Sequence, residues 1–336
     1  MGRCNNNNLH KAKILVNDEF YTRLEDIEKE LSNYKEHFKN KIIYCNCDDP
    51  FISNFVKYFI IHFNDLGLKK LIATCYNGQS IYGKQLNIYD LLNTESEGEK
   101  TYKIEINEVD DEFDINKLLS NKNNVLSYLK QNGDFSSSEC IEILKSADIV
   151  ATNPPFSLFR DYINLLIKYN KKFIVVGNVN TITYKEVFTY FKENKLWLGC
   201  NSVKEFIQPD GTIKKFGNIL WYTNLSHYKR NEKLVLFERY YDYYNEDGTL
   251  KLGKEDKYPK FENYDAINVD ITADIPIDYK GVMGVPITFL DKYNPEQFEI
   301  VAFRKGIDGK DLTYMKESGG GRRIQPYFRI LVRLLH

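Results

Sequence analysis

The stretch Asp148-Ile149-Val150-Ala151-Thr152-Asn153-Pro154-Pro155-Phe156 reads as a buried strand running directly into a turn closed by two prolines. Beyond it, Leu158, Phe159, Tyr162, Leu165 and Leu166 recur at helical spacing, so strand, turn and amphipathic helix follow one another. Upstream, residues 41–47 and 70–76 are short apolar strands, and Phe51, Phe55, Val56, Phe59, Ile60 and Phe63 mark a helical stripe between them. Downstream, 172–177 repeats the strand pattern and 184–193 the helical one. This alternation predicts an α/β fold with a mostly parallel sheet and helices on both faces. In such sheets sites open at the C-terminal ends of strands, where the Asn-Pro-Pro-Phe turn sits.

The turn suits one chemistry. The exocyclic amine of adenine is a weak nucleophile because its lone pair is delocalised into the ring, and two hydrogen-bond acceptors on its protons draw that pair back. The Asn153 side-chain oxygen and the Pro154 carbonyl are placed to accept one N6–H each, since Pro155 biases Pro154 towards extended geometry and Pro154 fixes its own φ. Phe156 would stack on an extruded base. An isolated Asn-Pro-Pro-Phe is more often a strand end closed by prolines with an ordinary core Phe; the strand–turn–helix setting favours a site.

Composition narrows the classes. A chain of 336 residues holds one large domain, or a core with an appended one. Its formal net charge of −1 excludes a non-specific architectural DNA binder and leaves nucleic-acid binding to a local basic face. Apolar runs far shorter than a membrane span predict a soluble, cytoplasmic protein with no membrane partner. Cys4, Cys45, Cys47, Cys75, Cys140 and Cys200 lack zinc-like spacing, so no metal is expected, and no Pro-Cys dipeptide offers a nucleophile for cytosine-C5 methylation. The run Gly78–Lys84 approaches a phosphate-binding loop, but Gln85 stands where Ser or Thr belongs, and a surface turn is expected.

A methyl-transfer cofactor should lie over the end of the first strand. In place of a glycine-rich turn the chain has Cys47-Asp48-Asp49-Pro50-Phe51. Either these carboxylates and a helix N-terminus bind the cofactor's charged end, or Asp48 and Asp49 only cap the helix. Gly133-Asp134-Phe135 places an acid where it could accept from the cofactor's adenine amine, or is a plain turn. Residues 1–199 form the predicted core, 200–280 an irregular recognition segment, and 281–336 a C-terminal segment packing back on the core. In the middle segment Lys204, Lys214, Lys215, Lys229, Arg230 and Lys251 are interleaved with Tyr and Phe, a pattern suited to DNA phosphates and equally to a solvated surface.

Several blocks in order resemble a known family: Asp18–Thr22, Tyr44–Pro50, Ser53–Phe55, Gly67–Ile72, Gly133–Phe135, Thr152–Phe159, Asn178–Asn180, Ile182–Glu186, Tyr264–Val269, Gly281–Leu290 and Asn294–Phe298. Together they resemble the EcoRI-type adenine-specific DNA methyltransferases over nearly the whole chain. The resemblance implies a class I, Rossmann-like methyltransferase fold, duplex DNA as substrate, S-adenosyl-L-methionine as donor and N6-methyladenine as product. It also implies a monomer and, where the role is host protection, a cognate restriction endonuclease. By matching position Asn153, Pro154 and Phe156, with Pro155 in the same turn, take the target base. Asp49 and Asp134, beside Cys47, Asp48 and Phe135, hold the cofactor, and Tyr21 and Thr22 close over it. Residues 77–115 and 200–260 depart from the family pattern, which bears on the DNA sequence recognised. Asn-Pro-Pro-aromatic turns also serve RNA-base and protein-glutamine methylation, and a DNA-binding protein without catalysis is the remaining alternative.

Overall fold

The computed structural model describes residues 21–76, 101–110, 115–207, 211–316 and 321–335. Among these, nine strands form one sheet. Across it run β1 (Tyr21–Thr22), β8 (Trp197–Ile207), β9 (Ile213–Thr223), β7 (Lys172–Asn178), β6 (Ile149–Thr152), β2 (Ile42–Cys45), β3 (Lys70–Thr74), β4 (Tyr102–Ile106) and β5 (Val125–Tyr128). The centre, β3-β2-β6-β7, is parallel, and every pairing outside it is antiparallel. The Rossmann-like α/β fold is therefore present with a parallel heart and antiparallel margins. Central strands such as Ile-Val-Ala-Thr in β6 are buried at every position, because helices cover both faces and leave no solvent side to encode.

The chain moves outward from β2 to β3 on one side and from β6 to β7 on the other. That reversal opens a crevice at the C-terminal ends of β2 and β6, the place where open α/β sheets bind ligands. The helix Phe159–Lys168, which follows β6, buries Phe159, Tyr162, Ile163 and Leu166. Gly177 in β7 makes the close approach of Phe159 possible: a Cβ there would lie 2.3 Å from the ring.

The helix expected over 21–38 is broken into Leu24–Leu31, a 3-10 turn at Ser32–Tyr34, and Lys35–Phe38. Its fully buried Glu30 organises the neighbouring sheet edge. The carboxylate accepts from Tyr34 Oη, Cys200 N, Asn201 N and Asn201 Nδ2, each at 2.8 Å. These bonds hold the irregularity between Leu198 and Ser202 of β8.

The two compact units do not divide at 199/200. One compact unit comprises residues through Val187 plus Leu196–Ser226, and the other Phe188–Lys195 plus His227–His336. Residues 197–223 belong to the large sheet because Leu198, Val203, Phe206, Ile219, Trp221 and Tyr222 are buried in it. In the second unit β10 (Ala266–Asn268), β11 (Val282–Pro286), β15 (Arg329–Leu334) and β12 (Phe298–Phe303) form a four-stranded sheet, and β13 (Tyr314–Lys316) pairs with β14 (Arg322–Ile324). Of the tyrosines expected to face a nucleic acid, Tyr240, Tyr244 and Tyr258 are buried in its core, the first two stacked at 4.6 Å, while Tyr228 and Tyr241 are exposed. No helix among the described residues is long and apolar enough to cross a membrane.

Candidate active site

β6 ends at the fully buried Thr152; Asn153 is then half-buried and Pro154 buried. Pro155 is extended (φ −55°, ψ 124°) and leads into one 3-10 turn, Phe156–Leu158, before the long helix begins. The turn is closed by Leu158 N donating to Pro155 O at 3.0 Å. Phe156 is half-buried, its ring edge-on to Phe206 at 6.1 Å.

The acid at the end of β2 reaches across to this turn. Asp48, 7% exposed, accepts Ser53 Oγ at 2.6 Å on one oxygen and the Thr152 hydroxyl on the other. It also accepts the backbone N–H of Asn153. Burial pushes its carboxyl up to about 6, against the lowering effect of those hydrogen bonds and with a smaller upward push from Asp49. The expectation that Asp48 and Asp49 cap the next helix is corrected. That helix spans Asn54–Ile61, and its N-cap is Ser53, whose Oγ accepts Phe55 N at 3.1 Å. Asp49 instead turns the loop, accepting Phe51 N at 2.8 Å and Tyr102 Oη at 3.0 Å, and burial raises its pKa.

Other candidates converge on the same strand end. Asn54 Nδ2 donates to Thr22 O at 2.8 Å, which ties β1 to the start of that helix. The backbone of Tyr21 pairs with Ile207. Gly133, at φ +73°, lies so close to Cys75 O that a Cβ would stand 2.0 Å away, so only glycine brings this loop onto the end of β3. The next two residues are half-buried. Asp134 accepts Ser136 N at 2.7 Å, and Phe135 packs edge-on against Tyr162 at 5.0 Å.

Tyr162 in turn donates its hydroxyl to Asn46 Oδ1. This fixes an amide, 1% exposed, whose Nδ2 donor has no protein partner; Thr22 Oγ1 is likewise buried and unpartnered. Orphaned buried donors are rare and point to a bound polar group. Asn46 is the residue that sequence reading missed, because it was seen only as the spacer of Cys45-Asn46-Cys47.

Comparison with known proteins agrees with this geometry. The family described as adenine-specific methyltransferase EcoRI matches residues 8–333. Type II methyltransferase M.EcoRI of Escherichia coli is 47% identical, with 97% of this chain and 95% of that protein covered. M.MgeORF184P of Mycoplasma genitalium and M.MpnI of Mycoplasma pneumoniae, also type II methyltransferases, are 39% and 38% identical, each over 87% of this chain and 84% of theirs. The chain belongs to the EcoRI adenine-specific methyltransferase family. No solved structure matches it significantly.

In this adenine-specific methyltransferase the buried thiols are held protonated. Burial pushes Cys45 and Cys47 well above the usual thiol range and Cys75 to about 12, so they are neutral and poor nucleophiles at pH 7. Among the described residues no cluster of His, Cys, Asp or Glu is arranged to hold a metal. Gly78–Lys84 lies outside the described residues.

The six predicted DNA-binding residues are divided between the two units. Lys204, Lys214 and Lys215 lie on β8 and β9, with Lys215 3.6 Å from Glu205 and Lys214 over the Phe216 ring at 5.2 Å. Lys229, Arg230 and Lys251 belong to the second unit and serve its own structure. Lys229 pairs with Asp291 at 2.6 Å, Arg230 donates to Asn194 at 2.9 Å, and Lys251 donates to Tyr241 O at 2.5 Å.

Proposed function

We propose that this enzyme methylates N6 of an adenine extruded from duplex DNA, with S-adenosyl-L-methionine as donor. The observation that carries the reading is the Asn153-Pro154 turn at the sheet's switch point, its backbone anchored by Asp48. The Asn153 side-chain oxygen and the Pro154 carbonyl accept the two N6 protons and localise the lone pair, while Phe156 and Pro155 shape the wall against which the base rests. S-adenosyl-L-methionine, when bound, supplies the methyl group as an electrophile. Asn46, Thr22 and Tyr21, the Cys47–Asp49 turn, Asp134 and Phe135 would hold it; Asp48 serves mainly by fixing the turn. Lys204, Lys214 and Lys215 contribute phosphate contacts, whereas Lys229, Arg230 and Lys251 are engaged within the second unit.

The relatives are type II methyltransferases, which supports a place beside a restriction endonuclease. The test is chemical. The protein is incubated with duplex DNA and methyl-labelled S-adenosyl-L-methionine, the DNA is digested, and the nucleosides are separated. Label in N6-methyl-2′-deoxyadenosine is expected; label in another base, or in RNA or protein in preference to DNA, overturns the reading.

A further inference from the structure

The residues expected to touch DNA sit in the wrong electrostatic neighbourhood. Residues 200–280 carry twelve Lys and Arg against fourteen Asp and Glu, whereas residues 301–336 carry eight against three. Part of this excess is taken up by acids from outside the stretch, Arg323 by Glu262, Arg329 by Asp270 and Arg333 by Glu299, so a local basic surface must come from the cations that remain.

The structure shows what this segment builds. A cleft of about 310 Å³ is lined by Arg304, Asp311, Gln325, Tyr327, Phe328 and Arg329, among others. Its frame is internally braced. Arg304 donates to both oxygens of Asp311 at 3.0 and 3.2 Å and lies over the Phe328 ring at 4.3 Å, and Gln325 Nε2 adds a third bond to Asp311 at 3.0 Å. Arg329 is held by Asn268 Oδ1 at 2.9 Å. Such pairing leaves these guanidiniums as structure, not as phosphate ligands.

The cations around the frame are different. Arg322 and Lys310 are exposed, and neither makes an ion pair among the described residues, although the Asp308 carboxylate lies near enough to Lys310 to feel its charge. Tyr327, 67% exposed, stands at the cleft with its ring 4.7 Å from Phe328. Exposed cations and an exposed aromatic in one short stretch of chain, on a braced scaffold, suit a sugar–phosphate backbone: the cations neutralise phosphates and the ring covers the sugar or a base.

We infer that the cleft and the paired strands β13 and β14 form a duplex-DNA contact surface, with Arg322 and Lys310 on phosphates and Tyr327 packed against the strand. The inference rests on the reading of the enzyme as a DNA methyltransferase. It moves the main electrostatic contact of the second unit from Lys229, Arg230 and Lys251 to the C-terminal segment.

The test measures binding of the full chain to a duplex containing a methylated site, as a function of salt. Double substitution R322A/K310A should weaken binding at least tenfold at moderate salt and reduce the slope of log K against log salt by about two, about 0.9 per phosphate contact. R322K/K310R should retain the wild-type slope, and S-adenosyl-L-methionine affinity should be unchanged in both. K229A/K251A should leave the slope as in wild type. If wild type methylates DNA and R322A/K310A binds with unaltered slope and affinity, this inference is overturned while the functional reading stands. If wild type neither binds nor methylates DNA, the functional reading itself has failed.

Discussion

Two turns face each other across the switch point, and they divide the labour. The Asp48 turn is structural: its buried carboxylate is taken up by Ser53, by the Thr152 hydroxyl and by the Asn153 backbone. The Asn153 turn is positioned through its main chain, by that bond and by two prolines. An acid beside a helix and an amide after a strand both looked like ligands. The contacts make Asp48 a strut, and on the proposed reading Asn153 is the reagent, a distinction that residue type does not carry.

The largest expected effect breaks the strut. Asp48→Ala leaves up to three donors without their acceptor, and urea unfolding should show a loss on the order of 3 kcal/mol. Unchanged stability with weakened cofactor binding would return Asp48 to the ligand role. A pH experiment sharpens the point. Because burial raises the folded Asp48 from 3.8 to about 6, the folded state holds its proton more tightly than the unfolded chain. Stability is therefore fullest below about pH 4 and is lost as pH rises through about 6, by about 3 kcal/mol in all. Asp48→Asn removes this one contribution, so the wild type should fall relative to the variant across that window. Parallel curves would mean that Asp48 is not the buried acid described.

Smaller effects mark the cofactor side. Asp134→Ala should raise the dissociation constant for S-adenosyl-L-methionine about tenfold, about 1.4 kcal/mol by calorimetry, with little change in melting temperature. Asn46→Ala should act in the same direction, because its Nδ2 donor has no protein partner to lose. Unaltered affinity in both would move the pocket away from the end of β2.

How far the sequence could be read follows from the same physics. β2, β3, β6 and β7 were legible because strands buried on both faces are continuous apolar runs bounded by turns. The tetrapeptide at 153–156 was legible because its two prolines constrain geometry by themselves. β8 and β9 were read as irregular because the register shifts at Leu198/Ser202 and Val203/Glu205 interrupt the period of two, and because Lys and Glu occupy their outer half. β5 gave no signal since its side chains are partly or wholly exposed, and the helix Ile115–Ser120 separates it from its partner β4. Asn46 and Glu30 were beyond reach: each gains meaning only from partners 116 and 170 positions away.

The most direct test of the central claim is Asn153→Ala, assayed for methyl transfer, cofactor affinity and stability in one preparation. Loss of one acceptor at the reacting amine should lower turnover by on the order of a hundredfold or more, with S-adenosyl-L-methionine affinity and unfolding free energy close to wild type. Near wild-type turnover would contradict the account, because the turn at the end of β6 would then be a strand end closed by prolines and nothing more.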